Sequence, residues 1–208
     1  MPLVSLASRQ VVHTLQMSGS ARCAAFTPDG GKLMTAGGDG TVYLWDLRTH
    51  RCLERVVDSG AGGLGVGCIA ASPTSGLWAT GGCLGVVNLY SRSAAAGAGG
   101  AGVRGVAAAP AAALRPSPLK TFMNLTTTVD CLQFSPDGQM MLMASRMRKD
   151  ALRVVHLPSA TVFSNWPSSK TPLHYVHCAA FSPHCGYLAV GNARGRVLLY
   201  RLPFYDKL

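Results

Sequence analysis

Short apolar segments separated by turn-forming residues recur along the chain. The stretch FTPDGGKLMTAGGDGTVYLWDL, residues Phe26 to Leu47, contains three such segments, and Pro-Asp-Gly and Gly-Gly-Asp-Gly separate them. Proline fixes its own backbone angle and glycine accepts a positive φ, so these groups mark chain reversals. The pattern therefore predicts three short antiparallel strands joined by tight turns.

Three further stretches repeat this pattern. They are AASPTSGLWATGGCLGVVNLYSR from Ala70, QFSPDGQMMLMASRMRKDALRVVHL from Gln133 and AFSPHCGYLAVGNARGRVLLYRL from Ala180. The aligned prolines of the four copies lie 45, 63 and 47 residues apart, and an insertion accounts for the long interval. They are Pro28, Pro73, Pro136 and Pro183. Recurrence at this spacing predicts a repeated structural unit.

Each copy ends its third strand at a recognisable position. In three copies an aromatic residue follows the end of the first strand by nineteen positions, in the pairs Phe26 and Trp45, Ala71 and Tyr90, and Phe181 and Tyr200. The third copy is three residues longer and is predicted to close on His156. Fourth-strand candidates, CLERVVD, PLKTFMNL and ATVFSNWP, lie between the copies. Four short antiparallel strands at a period of about 45 residues are typical of a propeller blade.

The first copy resembles a WD40 repeat in Trp45-Asp46 and in the segment Phe26 to Gly30. The resemblance implies an all-β fold, a WD40 β-propeller with about four blades present in this chain as part of a seven-bladed ring. It also implies a hydrogen-bonded structural cluster, matched here by Thr35, Asp39 and Trp45, with the cluster's histidine missing. The other copies depart from this set, so we expect their blades to depend mainly on packing. Leu84 occupies the Asp position in the second copy, and Val190 and Arg194 occupy the Thr and Asp positions in the fourth.

The repeats divide the chain, taken as a partial propeller over 1–208, into five predicted parts. They are the end of a preceding blade (1–17), a blade (18–58), a blade with a low-complexity insertion at 93–118 (59–125), a blade (126–167) and a last blade without its outer strand (168–208). Closed propellers avoid exposed edges by completing the last blade with a strand from the other terminus. The alternative is that Gln10 to Met17 supplies that strand and closes a small four-bladed ring.

Charge is unevenly distributed along the 208 residues. The formal net charge is +10, with six basic and five acidic residues up to Tyr90 and thirteen basic and four acidic residues after it. A basic surface favours acidic partners, nucleic acid among them, although it also serves solubility. The hydrophobic share of 48% and the charged share of 13% indicate a globular protein, and no segment resembles a secretory signal or a membrane span.

Seven cysteines without a Cys-x-x-Cys pair do not suggest a disulfide framework, so we expect a reducing compartment. Four of them occupy the same place, three positions before the end of the first strand in each copy. These are Cys23, Cys68, Cys131 and Cys178. A shared structural position explains them better than four reactive thiols.

The patterns that suggest chemistry lack the context it requires. Two G-x-G-x-x-G matches, Gly60 to Gly65 and Gly97 to Gly102, have neither a preceding parallel strand nor a following helix. Five metal-capable residues are close in sequence, but strand neighbours point to opposite faces and the spacing matches no zinc finger. They are His174, His177, Cys178, His184 and Cys185. No Ser/His/Asp grouping stands out, so we predict a protein that is not an enzyme, with no catalytic residues, cofactor, metal or small-molecule substrate.

Two surface features are candidates for partner contact. The insertion Ser93 to Pro118 consists largely of Ala, Gly and Pro, which cannot bury a core, so we predict a surface loop. A basic cluster lies in the long turn of the third copy and in the equivalent turn of the fourth. Its members are Arg146, Arg148, Lys149, Arg194 and Arg196. If the two blades are adjacent, these residues form one basic rim that contacts RNA phosphates or an acidic protein surface; otherwise they are scattered solubilising charges.

Longer stretches are more specific than generic WD40 features. FMNLTTTVDCLQFSPDGQMMLMASRMRKDALRVVHLPSATVFSNWP and YVHCAAFSPHCGYLAVGNARGRVLLYRL, with GGDGTVYLWDLRTHRCL and GVVNLY, resemble the carboxyl-terminal blades of the U3 small nucleolar RNA-associated protein 18 family. The resemblance covers nearly all of the chain outside the insertion, and that insertion departs from the family's short link. It implies that the family's amino-terminal blades and disordered leader are absent here.

This resemblance implies a nucleolar, non-catalytic scaffold subunit of the U3 snoRNP, or small-subunit processome, acting in 18S pre-rRNA processing and ribosome biogenesis. The implied partners are other propeller and helical-repeat subunits, with possible direct contact to pre-rRNA or U3 RNA and none with a membrane. The alternative is a cytosolic WD40 adaptor that mediates protein–protein interactions without RNA.

Overall fold

The computed structural model describes residues 1–60, 63–91, 115–168 and 172–202, and within these ranges the regular structure consists entirely of antiparallel β-strands. Accordingly, no helix in these ranges could cross a membrane. The fold class predicted from the repeats, an all-β protein of WD40 propeller blades, is confirmed. The predicted seven-bladed ring and the blade boundaries stay predictions.

The four copies form four separate sheets. The first contains β3 (Ala21–Phe26), β4 (Lys32–Gly37), β5 (Thr41–Asp46) and β6 (Arg51–Val57). The second contains β7 (Val66–Ala71), β8 (Leu77–Gly82), β9 (Val87–Ser91) and β10 (Lys120–Phe122). The third contains β11 (Cys131–Phe134), β12 (Met140–Ala144), β13 (Leu152–His156) and β14 (Thr161–Val162). The fourth contains β15 (Val176–Phe181), β16 (Tyr187–Asn192) and β17 (Val197–Arg201).

A fifth, two-stranded sheet precedes these four. It pairs β1 (Pro2–Ser5) with β2 (Gln10–Thr14). The alternative in which Gln10 to Met17 completes the last blade is wrong for this structure, because β2 pairs with β1 and the fourth sheet is β15-β16-β17. The sequence left open whether Gln10 to Met17 belongs to a preceding blade or to the last blade, and only the tertiary structure distinguishes the two pairings.

The strand register corrects one detail of the repeat alignment. Trp45 pairs with Leu33, and the equivalent pair in the third sheet is Val155 with Met141. His156 pairs with Met140 instead. The third copy therefore closes on Val155, because its longer turn between Ala144 and Leu152 absorbs two extra residues, not three.

Adjacent sheets pack face to face, and the packing explains why β12 is apolar at every position. In β12, Met141 and Met143 face the core shared with the second sheet, whereas Leu142 faces the core shared with the fourth. All three side chains are buried. Alternate side chains of a strand point to opposite faces, so apolar residues at successive positions of β12 fill the cores on both sides. Burial of such a side chain contributes about 1.5–3 kcal/mol.

The first strands of successive sheets, β3, β7, β11 and β15, neighbour one another. The sheets therefore stand side by side with their first strands innermost, as propeller blades do. Strands alternate in direction, so the turn after each second strand and the connection after each fourth strand open on the same edge of the arc. We call this edge the upper rim and the opposite edge the lower rim.

Candidate functional site

The structural cluster expected in the first blade is distributed over two hydrogen-bonded pairs. The Trp45 indole Nε1 donates to Thr35 Oγ1 at 2.9 Å in the buried interior. Asp39 lies in the turn on the upper rim, where its carboxylate accepts from the Tyr43 hydroxyl at 2.6 Å and from the Thr41 backbone N–H at 3.1 Å. Trp45 and Tyr43 stack with ring centroids 5.9 Å apart. The first pair joins two strands, and the second secures the turn.

A buried carboxylate that sequence reasoning missed joins the first and second blades. Asp58 follows β6, and its Oδ1 accepts hydrogen bonds from Thr80 Oγ1 at 3.0 Å, from Asn88 Nδ2 at 2.9 Å and from the Tyr90 hydroxyl. Burial, followed by the hydrogen bond and negative charge of Asp58, raises the pKa of Tyr90 far above its ordinary value of 10.0. Because the carboxylate comes from one blade and the three donors from the next, this cluster holds the two blades together.

The equivalent cysteines line the innermost strands. Cys23 lies close to its own second strand, with Sγ 3.8 Å from the Ala36 carbonyl oxygen, and Cys131 Sγ lies 3.9 Å from the carbonyl oxygen of Ala179 in the next sheet. Burial raises the pKa of Cys23 from 9.0 to about 11 and raises that of Cys68 well above 9.0. A thiol that stays protonated is a poor nucleophile, so these two side chains are packing elements.

Metal-capable residues of the last blade do not converge. Adjacent residues His177 and Cys178 are both exposed on β15, whereas His184 and Cys185 lie at its far end in the turn before β16. Cys185 is buried there, and its backbone N–H donates to the Ser182 carbonyl. Across the described residues, no group of three or more His, Cys, Asp or Glu side chains could hold a metal ion.

The basic cluster predicted from sequence lies on the upper rim. Arg146, Arg148 and Lys149 lie in the exposed turn between β12 and β13, and Arg194 and Arg196 lie in the corresponding turn between β16 and β17. The segment before β15 connects the two turns, because the Asp150 N–H donates to the His174 carbonyl and the Ala193 N–H donates to the Tyr175 carbonyl. Both turns therefore belong to one continuous surface.

The partners of these basic side chains differ. Arg146 Nε lies 3.4 Å from Asp130 Oδ1, so a carboxylate offsets its charge. Arg148 Nη1 donates instead to the neutral hydroxyl of Thr126 at 3.1 Å. In the fourth blade the backbone N–H groups of Arg194 and Arg196 bond to Asn192 Oδ1, which fixes the turn.

Two sequence features fall wholly or partly outside the described residues. The insertion at 93–118 is described only from Arg115 onward, and the second G-x-G-x-x-G match, Gly97 to Gly102, is not described. In the first match, Gly60 to Gly65, residues 61 and 62 lie outside the described residues. The part that is described, up to Gly65, lies directly before β7 of an antiparallel sheet. That context differs from the strand and helix that a dinucleotide needs.

The cavity between the third and fourth sheets is a separate feature from the upper rim. Its volume is about 590 Å³, and its lining is mainly apolar and aromatic, with Phe163, Trp166, Phe181 and Tyr200 prominent. The side chains come from the third and fourth sheets and from the segment that follows β14. The cavity is therefore a gap in blade packing and contributes nothing to the basic rim.

Comparison with known proteins agrees with the blade architecture. The family model described as "WD domain, G-beta repeat" matches residues 9–46. A protein of Arabidopsis thaliana named U3 small nucleolar RNA-associated protein 18 homolog is 41% identical over 205 residues, which is 98% of this chain and 34% of that protein. The homolog of the same name from Homo sapiens is 36% identical over 206 residues, with the same shares.

The Saccharomyces cerevisiae protein named U3 small nucleolar RNA-associated protein 18 is 50% identical over 121 residues, which is 58% of this chain and 18% of that protein. The chain thus spans about a third of the length of the first relatives it matches.

Proposed function

We propose that this chain, a WD40-repeat protein that resembles the U3 small nucleolar RNA-associated protein 18 family over nearly its whole length, is a non-catalytic scaffold subunit of the U3 snoRNP, or small-subunit processome. In that particle it acts in 18S pre-rRNA processing and ribosome biogenesis. The similarity over 98% of the chain to relatives of that name carries the proposal.

The architecture supports a scaffold role. Propeller blades present short strands and many turns at two rims, and rim turns vary freely without disturbing the packed faces between blades. We retain the five-part division at 1–17, 18–58, 59–125, 126–167 and 168–208 as part of the proposal, and the separate sheets support it. Its partners are other propeller and helical-repeat subunits, and its location is the nucleolus of the nucleus.

The upper rim is the candidate contact surface for RNA or for a partner subunit. Five exposed basic residues from two blades lie along it, and only Arg146 has a carboxylate partner among the described ion pairs. They are Arg146, Arg148, Lys149, Arg194 and Arg196. Basic side chains held on a continuous surface raise the rate and affinity of association with an acidic partner.

Sedimentation and imaging test the proposal. We expect the tagged full chain to sediment with pre-ribosomal particles and to concentrate in nucleoli. A diffuse cytosolic protein that is absent from those particles would contradict the proposal and favour a WD40 adaptor that binds proteins without RNA.

A charge-reversal variant tests the rim in the same assay. The variant combines Arg148→Glu, Lys149→Glu and Arg194→Glu, and the matched control combines Arg48→Glu, Arg51→Glu and Lys120→Glu at the lower rim. If the rim contributes to assembly, salt should release the upper-rim variant from particles at a lower concentration than the control. Identical release profiles would remove these residues from the proposal.

A further inference from the structure

Exposed apolar side chains accompany the basic residues along the upper rim. Five large apolar or aromatic residues in the turns and connections of the second, third and fourth blades are between 44% and 74% exposed. They are Leu64, Leu84, Met123, Met147 and Tyr175. Together with Arg22, Arg148 and Lys149 they form what we call the apolar-basic rim. Side chains of this kind in contiguous turns mark an interaction surface more often than isolated exposed residues do.

Hydrogen bonds connect these turns into one ribbon. At one end, the Arg22 Nη1 donates to the Leu64 carbonyl at 3.0 Å and contacts Cys83 Sγ at 3.2 Å. The Thr128 hydroxyl then donates to the Cys83 carbonyl at 3.0 Å, which brings the connection before the third blade against the turn that carries Leu84.

The ribbon continues into the third blade. Arg148 bonds to the Thr126 hydroxyl, and the hydroxyls of Thr127 and Ser145 lie 2.7 Å apart, so this connection also meets the turn that carries Met147. Backbone contacts extend the ribbon to Tyr175. The exposed apolar residues are therefore held in neighbouring turns that contact one another directly.

Basic residues outnumber carboxylates at this edge, where Arg22, Arg146, Arg148, Lys149, Arg194 and Arg196 lie with Asp39, Asp58, Asp130 and Asp150. Asp58 is buried under three donors, and Asp130 pairs with Arg146. Asp150 accepts the backbone N–H groups of Leu173 and His174 at 2.7 and 2.9 Å. Arg22 and Arg148, in contrast, bond to neutral oxygen or sulfur atoms. A ligand that carries carboxylates would meet an excess of cations among the described residues of this rim.

We infer that the apolar-basic rim docks a protein segment in which acidic residues alternate with large apolar ones. Its apolar side chains cover Leu84, Met123 and Met147, and its carboxylates pair with Arg148 and Lys149. This inference deepens the proposed function and rests on it, since it names the chemistry of a partner subunit within the particle. Flexible methionine side chains adapt readily to the apolar residues of another protein.

The apolar component favours a protein over RNA. Single-stranded RNA is bound by basic residues combined with aromatic rings on which bases stack. Of the five exposed side chains named above, Tyr175 is aromatic and the other four are aliphatic or thioether. Leucine and methionine gain little from contact with a phosphodiester backbone, whereas covering them with apolar side chains removes their area from water.

Site-specific photo-crosslinking in the particle-associated full chain tests the inference. The photoreactive amino acid p-benzoylphenylalanine replaces Met147 or Leu84 in separate variants, and Leu119, which is 58% exposed on the lower rim, is the matched control position. Adducts formed in gradient-purified particles are digested with nuclease or protease, and the cross-linked peptide is identified by mass spectrometry. The particles are also prepared from chains that carry Arg148→Glu and Lys149→Glu.

We expect a protease-sensitive adduct at Met147 and Leu84 whose cross-linked peptide is rich in Asp, Glu and apolar residues. Charge reversal should reduce its yield about tenfold. A nuclease-sensitive adduct would identify RNA as the ligand and overturn the inference. A peptide that is not acidic, a yield unchanged by charge reversal, or adducts no stronger than those at Leu119 would also overturn it. Absence of the wild-type chain from particles would count against the proposed function instead.

Discussion

Replacement of Asp58 by alanine should destabilise the junction between the first and second blades. Asp58 is 4% exposed, and its side chain is the shared acceptor of Thr80, Asn88 and Tyr90. Asp58→Ala leaves three buried donors without this acceptor, and each such donor costs about 1–3 kcal/mol. The variant also removes the cost of burying a carboxylate, which is several kcal/mol. The loss from the three donors exceeds this gain, and we expect a net loss of about 1–4 kcal/mol in the free energy of unfolding.

A double-mutant cycle with Tyr90 tests this reasoning. In the wild-type chain, Tyr90→Phe removes a hydrogen bond to a charged group and should cost about 1.5–3 kcal/mol. In the Asp58→Ala background the same change removes a donor that has lost its acceptor, so it should cost little or raise stability. The two changes should therefore be strongly non-additive.

Urea denaturation followed by tryptophan fluorescence measures the cycle through the midpoint and slope of each transition. Asp46→Ala is the matched control, because Asp46 accepts local bonds from Arg48 and Thr49 in an exposed turn, and we expect its midpoint to stay near that of the wild type. Additive effects of Asp58→Ala and Tyr90→Phe would refute the shared-acceptor account, as would an Asp58→Ala midpoint equal to that of the control.

Three further predictions concern the interior of the blades. Thr35→Val keeps the side-chain shape but leaves the Trp45 Nε1–H without its acceptor. The free energy of unfolding measured by urea titration should therefore fall by about 1–3 kcal/mol. An unchanged midpoint would contradict the role of this bond. Met143→Ala opens a cavity in the core between the second and third blades. The free energy of unfolding should fall by about 2–5 kcal/mol, and a loss below about 0.5 kcal/mol would refute the packing described for this face. The pKa of Cys23 is raised from 9.0 to about 11. Between pH 9 and pH 11 the unfolded chain therefore releases a proton that the folded chain keeps, so stability should fall as pH rises through this range. Melting temperatures measured across this range should fall less steeply for Cys23→Ala; equal slopes in the two proteins would contradict the burial of this thiol.

Much of the fold could be predicted because the sequence features that are typical of a blade are local. Proline and glycine turns separate the strands, and apolar strands recur at a regular spacing, so the sequence alone indicates antiparallel units of propeller type. The upper-rim position of Arg146 and Arg194 was likewise expected, since turns between the same two strands of each copy open on the same edge. These features depend on neighbouring residues, and local sequence determines them.

Other features could not be predicted because they depend on contacts between distant residues. Asp58 follows the strand ending at Val57 and looks like an ordinary turn residue, yet its partners lie 22 to 32 positions away. Likewise, His156 resembles the aromatic residues that close the other copies, and only the pairing of Met141 with Val155 reveals the true register.

The sequence by itself therefore determined the number and kind of strands in each copy, the turns between them and the type of fold, since backbone preferences and apolar periodicity act over a few residues. The tertiary structure alone decided which strands pair at the amino terminus, where the third copy closes, and how the carboxylate of Asp58 joins two blades. It also decided which apolar side chains of the upper rim remain exposed beside Arg148 and Lys149. These outcomes depend on how sheets stack, because a side chain's burial and partners are set by the neighbouring blade and not by its own segment.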